Sequence, residues 1–396
     1  MPWSLRNRSV SAALATAAVL TPLLTSSGAP AQAVQRPAAV SATTTVTPSV
    51  TAAAVLPTAV ACTTPICGVT RVATENDIPW GLATLPDGSV LYTRRDAHDV
   101  VRLDPRTGRR TRAGVVPGAR STGGEGGLLG LAIAPTFARD PWVYLMHTTA
   151  GDNRIVRMRY AAGKLVPSTT QVLVKGILRS RFHNGGRLRF GPDGMLYAAT
   201  GDASVDGYAQ VLSGRGSLNG KILRMTPTGA VPPGNPFGTL VWSYGHRNPQ
   251  GLAFDARGRL WEQEFGNDVM DETNLVVRGG NHGWPQCEGT SSRSGSGCRA
   301  RGLVAPKRTY PTAIGSCSGL TIVREAVYVA CTRGTRLYRG VITGSSLTGV
   351  RPYLVGTDGR LRTVEPAPGG LWLTTSNDRD SRPGNSAERI LRVRLR

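Results

Sequence analysis

One two-strand unit recurs along this chain and limits what it can fold into. Each copy is a short apolar run, a turn, and a second apolar run. The first copy opens at Gly81-Leu82-Ala83 and turns at Pro86-Asp87-Gly88 into residues 89–93. The second opens at Gly130-Leu131-Ala132 and passes Pro135-Thr136-Phe137 to reach residues 142–146. The third joins residues 187–190 to 195–200 through Gly191-Pro192-Asp193-Gly194. The fourth runs from Gly251-Leu252-Ala253-Phe254 through Asp255-Ala256-Arg257-Gly258 to 260–264. The fifth joins Gly319-Leu320-Thr321 to 326–330. The sixth joins Arg362-Thr363-Val364 to 371–375 through Pro368-Gly369-Gly370. Apolar runs of this length around such turns are hairpin signals. Several units close with another apolar, basic-edged run: VVRLD (100–104), RIVRMRY (154–160), KILRM (221–225), RLYRGV (336–341) and RILRVRL (389–395). The pattern predicts an all-β, six-bladed β-propeller with four-stranded blades over residues 61–396. A β-sandwich or two all-β domains is the competing arrangement. No helix-period segment of useful length follows residue 60.

The N-terminus has a different character. Arg6 and Arg8 precede an apolar run over residues 10–24, and Ala31-Gln32-Ala33 resembles a cleavage site. Residues 1–33 therefore read as a secretory signal peptide, too short and too polar for stable membrane insertion. Residues 34–60, rich in Ala, Thr, Val and Pro, read as a disordered linker. The protein is expected to be secreted or otherwise extracytoplasmic. Its six cysteines then suggest disulfides. Sequence allows fifteen pairings, and the local set is Cys62–Cys67, Cys287–Cys298 and Cys317–Cys331. The net charge of +22 comes almost wholly from arginine. Those arginines are dispersed, aromatics are only 6%, and no nucleic-acid motif is present, so nucleic acid is not the expected partner.

The polar residues fall at particular places on the units. The start of a hairpin's first strand lies beside the end of its second, so His183 and Asp202 come to one open end. A histidine beside a carboxylate is a candidate oriented base. Glu125 precedes the second unit's first strand. Arg247 and Asn248 precede that of the fourth, and Arg360 and Arg362 lie at the start of that of the sixth. Gly266 and Asn267 follow the fourth unit's second strand. In a propeller, all of these positions share the disc face opposite the hairpin turns. Convergence of this kind describes a ligand site. The other histidines (His98, His147, His246 and His282) show no comparable partner in the sequence.

These segments resemble the soluble quinoprotein sugar dehydrogenases, the glucose/sorbosone or aldose sugar dehydrogenases that use pyrroloquinoline quinone (PQQ). The resemblance runs from about Thr70 to the C-terminus. It is dense in GEGGLLGLA (124–132), HNGGRLRFGPDGMLYAATGD (183–202), LNGKILRM (218–225), SYGHRNPQGLAFD (243–255) and EFGNDVMDETNLVVRGGNHGWP (264–285).

The resemblance implies a six-bladed propeller and oxidation of aldose sugars, with electrons passing on to an external acceptor. It implies that His183 takes the proton of the anomeric hydroxyl while Asp202 holds it. Arg247 would face the quinone oxygen that gains charge, beside Asn248. Gly266 and Asn267 would offer backbone carbonyls to a calcium ion (Ca2+) shared with PQQ. Arg360 and Arg362 would pair with the cofactor's carboxylates. A second calcium would use the Glu272 carboxylate and the His282 carbonyl.

Two departures stand out. Glu125 replaces a glutamine common among relatives, on the substrate side of the cofactor. No lysine occurs near Thr332, where glucose-specific members have one; Arg333 is the nearest cation. Strict glucose specificity is therefore not expected. Two other classes stay open: a glycan- or protein-binding propeller without turnover, and a calcium-dependent lactonase.

Overall fold

The computed structural model describes residues 62–292, 298, 302–377 and 387–396. The expected signal peptide and linker lie outside the described residues. Six antiparallel four-stranded sheets form the blades of a propeller. Blade 1 runs Pro79–Thr84, Val90–Arg94, Asp99–Leu103, Arg110–Val115 from the axis outward. Blade 2 is Leu128–Ile133, Trp142–Thr148, Asn153–Ala161, Lys164–Ile177; blade 3 is Leu188–Phe190, Leu196–Thr200, Lys221–Met225, Val241–Tyr244. Blade 4 is Pro249–Phe254, Leu260–Glu264, Met270–Leu275, Arg308–Pro311; blade 5 is Cys317–Val323, Ala326–Cys331, Arg336–Thr343, Ser346–Tyr353. Blade 6 takes Leu361–Ala367, Gly370–Thr375 and Glu388–Leu395 from the C-terminal end. Its outer strand, Ile66–Glu75, comes from the N-terminal end. The predicted hairpins are the two inner strands of each blade, and the basic-edged runs are the third strands.

Strand alternation explains why the blades stack. In blade 2, Val143 and Leu145 face the seam with blade 1, against Leu91, Val100 and Leu131. Trp142, Tyr144 and Met146 face the other way, against Leu188, Leu196 and Leu223 of blade 3. The same division makes a seam at each remaining junction. The last, with Trp372 and Ile390 of blade 6 against Leu82 and Val90 of blade 1, closes the ring. Each large side chain removed from water contributes about 1.5–3 kcal/mol. The core is therefore a set of seams, and each inner hairpin is held from both sides.

The three expected disulfides are present: Cys62–Cys67, Cys287–Cys298 and Cys317–Cys331. Cys317 and Cys331 are direct cross-strand partners in blade 5. Denatured, unreduced protein should contain fewer than one titratable thiol per chain. Three or more would show that this pairing does not form. The described residues contain only two short 3-10 turns, Asp206–Gln210 and Thr312–Ile314, beside the strands.

Candidate active site

His183 precedes the inner strand of blade 3, and Asp202 follows the second strand. The register between them (Leu188 opposite Ala198) continues upward through the Gly186 N–H to Ala199 carbonyl bond. His183 Nδ1 lies 2.7 Å from Asp202 Oδ1. Gly201 makes the approach feasible, because a Cβ there would strike the His183 carbonyl. Asp202 is fully buried. Its other oxygen accepts from Trp284 Nε1 at 2.8 Å, and Oδ1 also accepts the Ser204 N–H at 2.8 Å. An ionised carboxylate can only accept. The imidazole must therefore donate from Nδ1, and neutral His183 carries its lone pair on Nε2. The His183 side chain is 16% exposed, open enough for a substrate to reach it. The residue adopts φ +57°, an uncommon state for a side chain larger than glycine. Its N–H is held by Glu125 Oε2 at 2.9 Å.

Glu125 also accepts from Asn248 Nδ2 at 2.9 Å, and Asn248 Oδ1 accepts the Gly185 N–H at 3.1 Å. Glu125 thus ties blade 2 to the base of blade 3 and to the Arg247-Asn248 pair of blade 4. Arg247 donates to the Gly266 carbonyl and to Asn267 Oδ1, each at 2.7 Å. Its guanidinium lies 5.2 Å from the centre of the Trp284 ring. Its Nε is buried without a hydrogen-bond partner. The guanidinium therefore keeps donor capacity that the protein does not use. His183, Asp202, Glu125, Arg247, Asn248, Gly266 and Asn267 are therefore brought together as expected.

The arginines of blade 6 need closer description. Arg362 is 1% exposed and donates to Gln250 Oε1 at 2.9 Å. Arg360 is half-buried, and its Nε donates to the Ser376 carbonyl at 2.8 Å. Both stand at the expected end of the blade and already carry protein partners. A further buried cation, Arg187, was not singled out from the sequence. It stacks over Trp80 at 4.5 Å and bonds the Gln250 carbonyl and Thr363 Oγ1. Its alternation with Arg189 along GGRLRF was the available signal. Thr332 donates to the Ser316 carbonyl, and Arg333 is exposed beside it.

The surroundings of Glu272 and His282 hold more carboxylates than the sequence suggested. Glu264 and Glu272 are direct cross-strand partners in blade 4, and Glu262 lies opposite Asn274. Asn274 Nδ2 donates to Glu262 at 3.1 Å, Glu264 at 3.3 Å and Glu272 at 3.0 Å. His246 Nδ1 reaches Glu264 at 3.3 Å. The expectation that His246 has no carboxylate partner is therefore corrected. Ligand atoms of His246, Glu262 and Glu264 all lie within 4.8 Å of one another. His282 stacks on His246 at 4.5 Å between ring centres, and neither of its ring nitrogens has a partner. Burial raises the carboxyls of Glu262 and Glu272 well above the ordinary glutamate range, and like charge adds to it. Burial likewise pushes Glu264 up to about 7 and His246 down to about 3. The cluster is closed to solvent, so it can hold a cation or protons but cannot receive a substrate. The signal was the alternation in Glu262-Gln263-Glu264, which puts two carboxylates on one face of a strand.

Residues 76–384 match the family model described as Glucose / Sorbosone dehydrogenase. The chain belongs to that family. Among curated relatives it is 33% identical over 247 residues to quinoprotein glucose dehydrogenase B of Acinetobacter calcoaceticus. That match covers 54% of this chain and 51% of the relative. It is 32% identical over 223 residues to aldose sugar dehydrogenase YliI of Escherichia coli K12, covering 53% of this chain and 59% of the relative. The chain thus spans about half the length of the curated relatives it matches. Among solved structures, the PQQ-bound form of aldose sugar dehydrogenase from Streptomyces coelicolor superposes with a TM-score of 0.75 at 43% identity. It covers 82% of this chain and 98% of that one.

Proposed function

We propose that this glucose/sorbosone dehydrogenase family member is an exported quinoprotein oxidising the anomeric hydroxyl of aldose sugars to lactones. The observation that carries the reading is the buried Asp202 locking His183 with Nε2 free, beside an arginine whose Nε lacks a partner. PQQ, when bound, supplies the two-electron acceptor for the hydride that leaves the anomeric carbon. His183 Nε2 takes the hydroxyl proton, and Asp202 stabilises the imidazolium that results. Arg247 offers positive charge and an unused donor to an oxygen gaining electrons, a preorganised electrostatic role. Asn248 is fixed by Glu125 and Gly185, and so presents the same face throughout. Arg360 and Arg362 would answer the cofactor's carboxylates.

The residues also suit a bridging calcium. The Gly266 carbonyl accepts one bond from Arg247 and keeps a second lone pair. Among the described residues, nothing donates to the Asn267 carbonyl. Both are hard oxygen donors. The deeper Glu262–Glu264–Glu272 cluster would hold a second, structural calcium, adding two carboxylates to the Glu272 and His282 set. Its closure disfavours the lactonase alternative, in which a carboxylate-bound metal must meet substrate. The disulfides fit an oxidising compartment, and the N-terminal pattern supplies the route of export. The electron acceptor is external.

The test is titration of the purified chain with PQQ and calcium, followed by dye reduction across a panel of aldoses. Calcium-dependent PQQ binding with turnover is expected, and chelation should abolish both. Gly266→Ala should prevent loading, since its Cβ would collide with the Met270 backbone carbonyl. Asn267→Asp should be tolerated better, because it keeps an acceptor for Arg247. Lactone hydrolysis without PQQ would point to the hydrolase, and neither activity would point to a binding propeller.

A further inference from the structure

The loop that carries the Gly266 and Asn267 carbonyls is organised by a residue outside the site described so far. Glu288 Oε1 accepts four successive backbone N–H groups: Asn267 at 2.7 Å, Asp268 at 2.9 Å, Val269 at 2.7 Å and Met270 at 3.0 Å. Such a convergence of amides on one oxygen is an anion-binding nest. Here the anion belongs to the protein. Glu288 is 2% exposed and has no basic partner among the described residues. Asp268 and Val269 are exposed, so water could have satisfied their amides. Burying a carboxylate instead is costly, and it fixes the loop's direction. With its N–H groups gathered on Glu288, the loop turns the Gly266 carbonyl toward Arg247. Oε1 lies 2.8 Å from where a Gly266 Cβ would stand, so only glycine permits the approach. Glu288 is itself held by the Cys287–Cys298 disulfide and by a two-residue ladder with Ser291 and Ser292.

We propose that Glu288 is a positioning residue for cofactor loading, holding the 266–270 loop so that its carbonyls and Arg247 are preset for a cation and its anionic ligand. The inference rests on reading those carbonyls as ligands of a PQQ-bridging calcium. A loop preset before binding avoids the ordering cost at loading. The Glu288 charge behind it also favours a cation on the carbonyl side.

The test uses the full chain free of PQQ. PQQ loading is followed by absorbance at increasing calcium concentration for wild type, Glu288→Gln and Glu325→Gln. Glu325 also holds a backbone amide, that of Ala256, but at the opposite face. Glu288→Gln should raise the calcium concentration for half-maximal loading at least tenfold. Amide exchange at residues 267–270 should also be faster before any ligand is added. Glu325→Gln should change neither. If Glu288→Gln does not fold, Glu288→Asp, which keeps the charge on a shorter arm, takes its place with the same expectation. An unchanged calcium requirement overturns the proposal and leaves the cofactor reading intact. A wild type that binds no PQQ at any calcium concentration overturns the cofactor reading, and the proposal with it.

Discussion

His183→Ala should retain PQQ and lose roughly 10²–10⁴-fold in the rate at which an aldose reduces it, the usual loss for a removed general base. The imidazole touches the reacting hydroxyl in the proposed function, while loop, arginines and glycines hold the cofactor. Binding and rate should therefore separate. Asp202→Asn tests the second half of the pair. The asparagine amide can donate to Nδ1, which moves the ring proton to Nε2 and removes the lone pair that faces the substrate. Its rate should fall with little change in PQQ affinity. Single-turnover reduction of bound PQQ is the measurement, since it isolates chemistry from reoxidation by the acceptor. Near-normal reduction in His183→Ala would remove His183 from the mechanism, whatever the fate of the fold and the cofactor.

The His183–Asp202 pair was legible because hairpin geometry is local. Once the Gly-Pro-Asp-Gly turn is recognised, strand pairing places the open ends together without tertiary information. The same logic found Glu125, Arg247 and Gly266, since each flanks the inner hairpin of its own blade. The basic-edged third strands were legible for a related reason. Their apolar residues alternate cleanly, as in Arg154 to Tyr160. Blade 4 gave no such signal, because its third strand, Met270–Leu275, carries Asp271, Glu272, Thr273 and Asn274 in succession. Its buried polar face builds the carboxylate cluster, and those polar residues erase the pattern that marks a strand.

Contacts between blades were harder to read. Trp284 lies far along the chain from Asp202 and reaches it across the seam between loops of blades 3 and 4. No local rule pairs them. Glu288 sits in a polar insertion whose sequence looks like a connecting loop, and its role depends on four backbone amides, which carry no side-chain signature. Arg187 was passed over because arginine is abundant here. What distinguishes it is burial against Trp80 and Glu365, a property of the closed ring. Glu365 pairs with both Arg187 and Arg189, and burial still lowers Arg187 to about 10.

Removing calcium should destabilise the protein much more at pH 8 than at pH 5, and the carboxylate cluster of blade 4 gives the reason. Glu264 directly faces Glu272 across two strands, an arrangement that is unfavourable when both are ionised. In the metal-free chain, protons provide the relief. Burial raises Glu264 from its ordinary 4.5 to about 7, and Glu262 and Glu272 move in the same direction. The folded state then binds more protons than the unfolded one between those values. Its stability is full below about pH 4.5 and is lost as pH rises through 7. For a raised carboxyl like Glu264 the loss is on the order of 3 kcal/mol. In the proposed function calcium would bind the ionised cluster and so reverse the trend. At about a hundred times its dissociation constant it would contribute roughly 2.7 kcal/mol. Thermal unfolding with chelator or calcium, at pH 5 and pH 8, measures the difference. Glu262→Gln separates this cluster from the carbonyl site. It removes one carboxylate from the set, so the variant should respond less to calcium. Because Glu264 also holds the Arg247 N–H at 2.6 Å, a change of charge in the cluster is expected to reach Arg247. Equal calcium increments at the two pH values, or a full calcium response in Glu262→Gln, would show that the cluster is not where calcium acts.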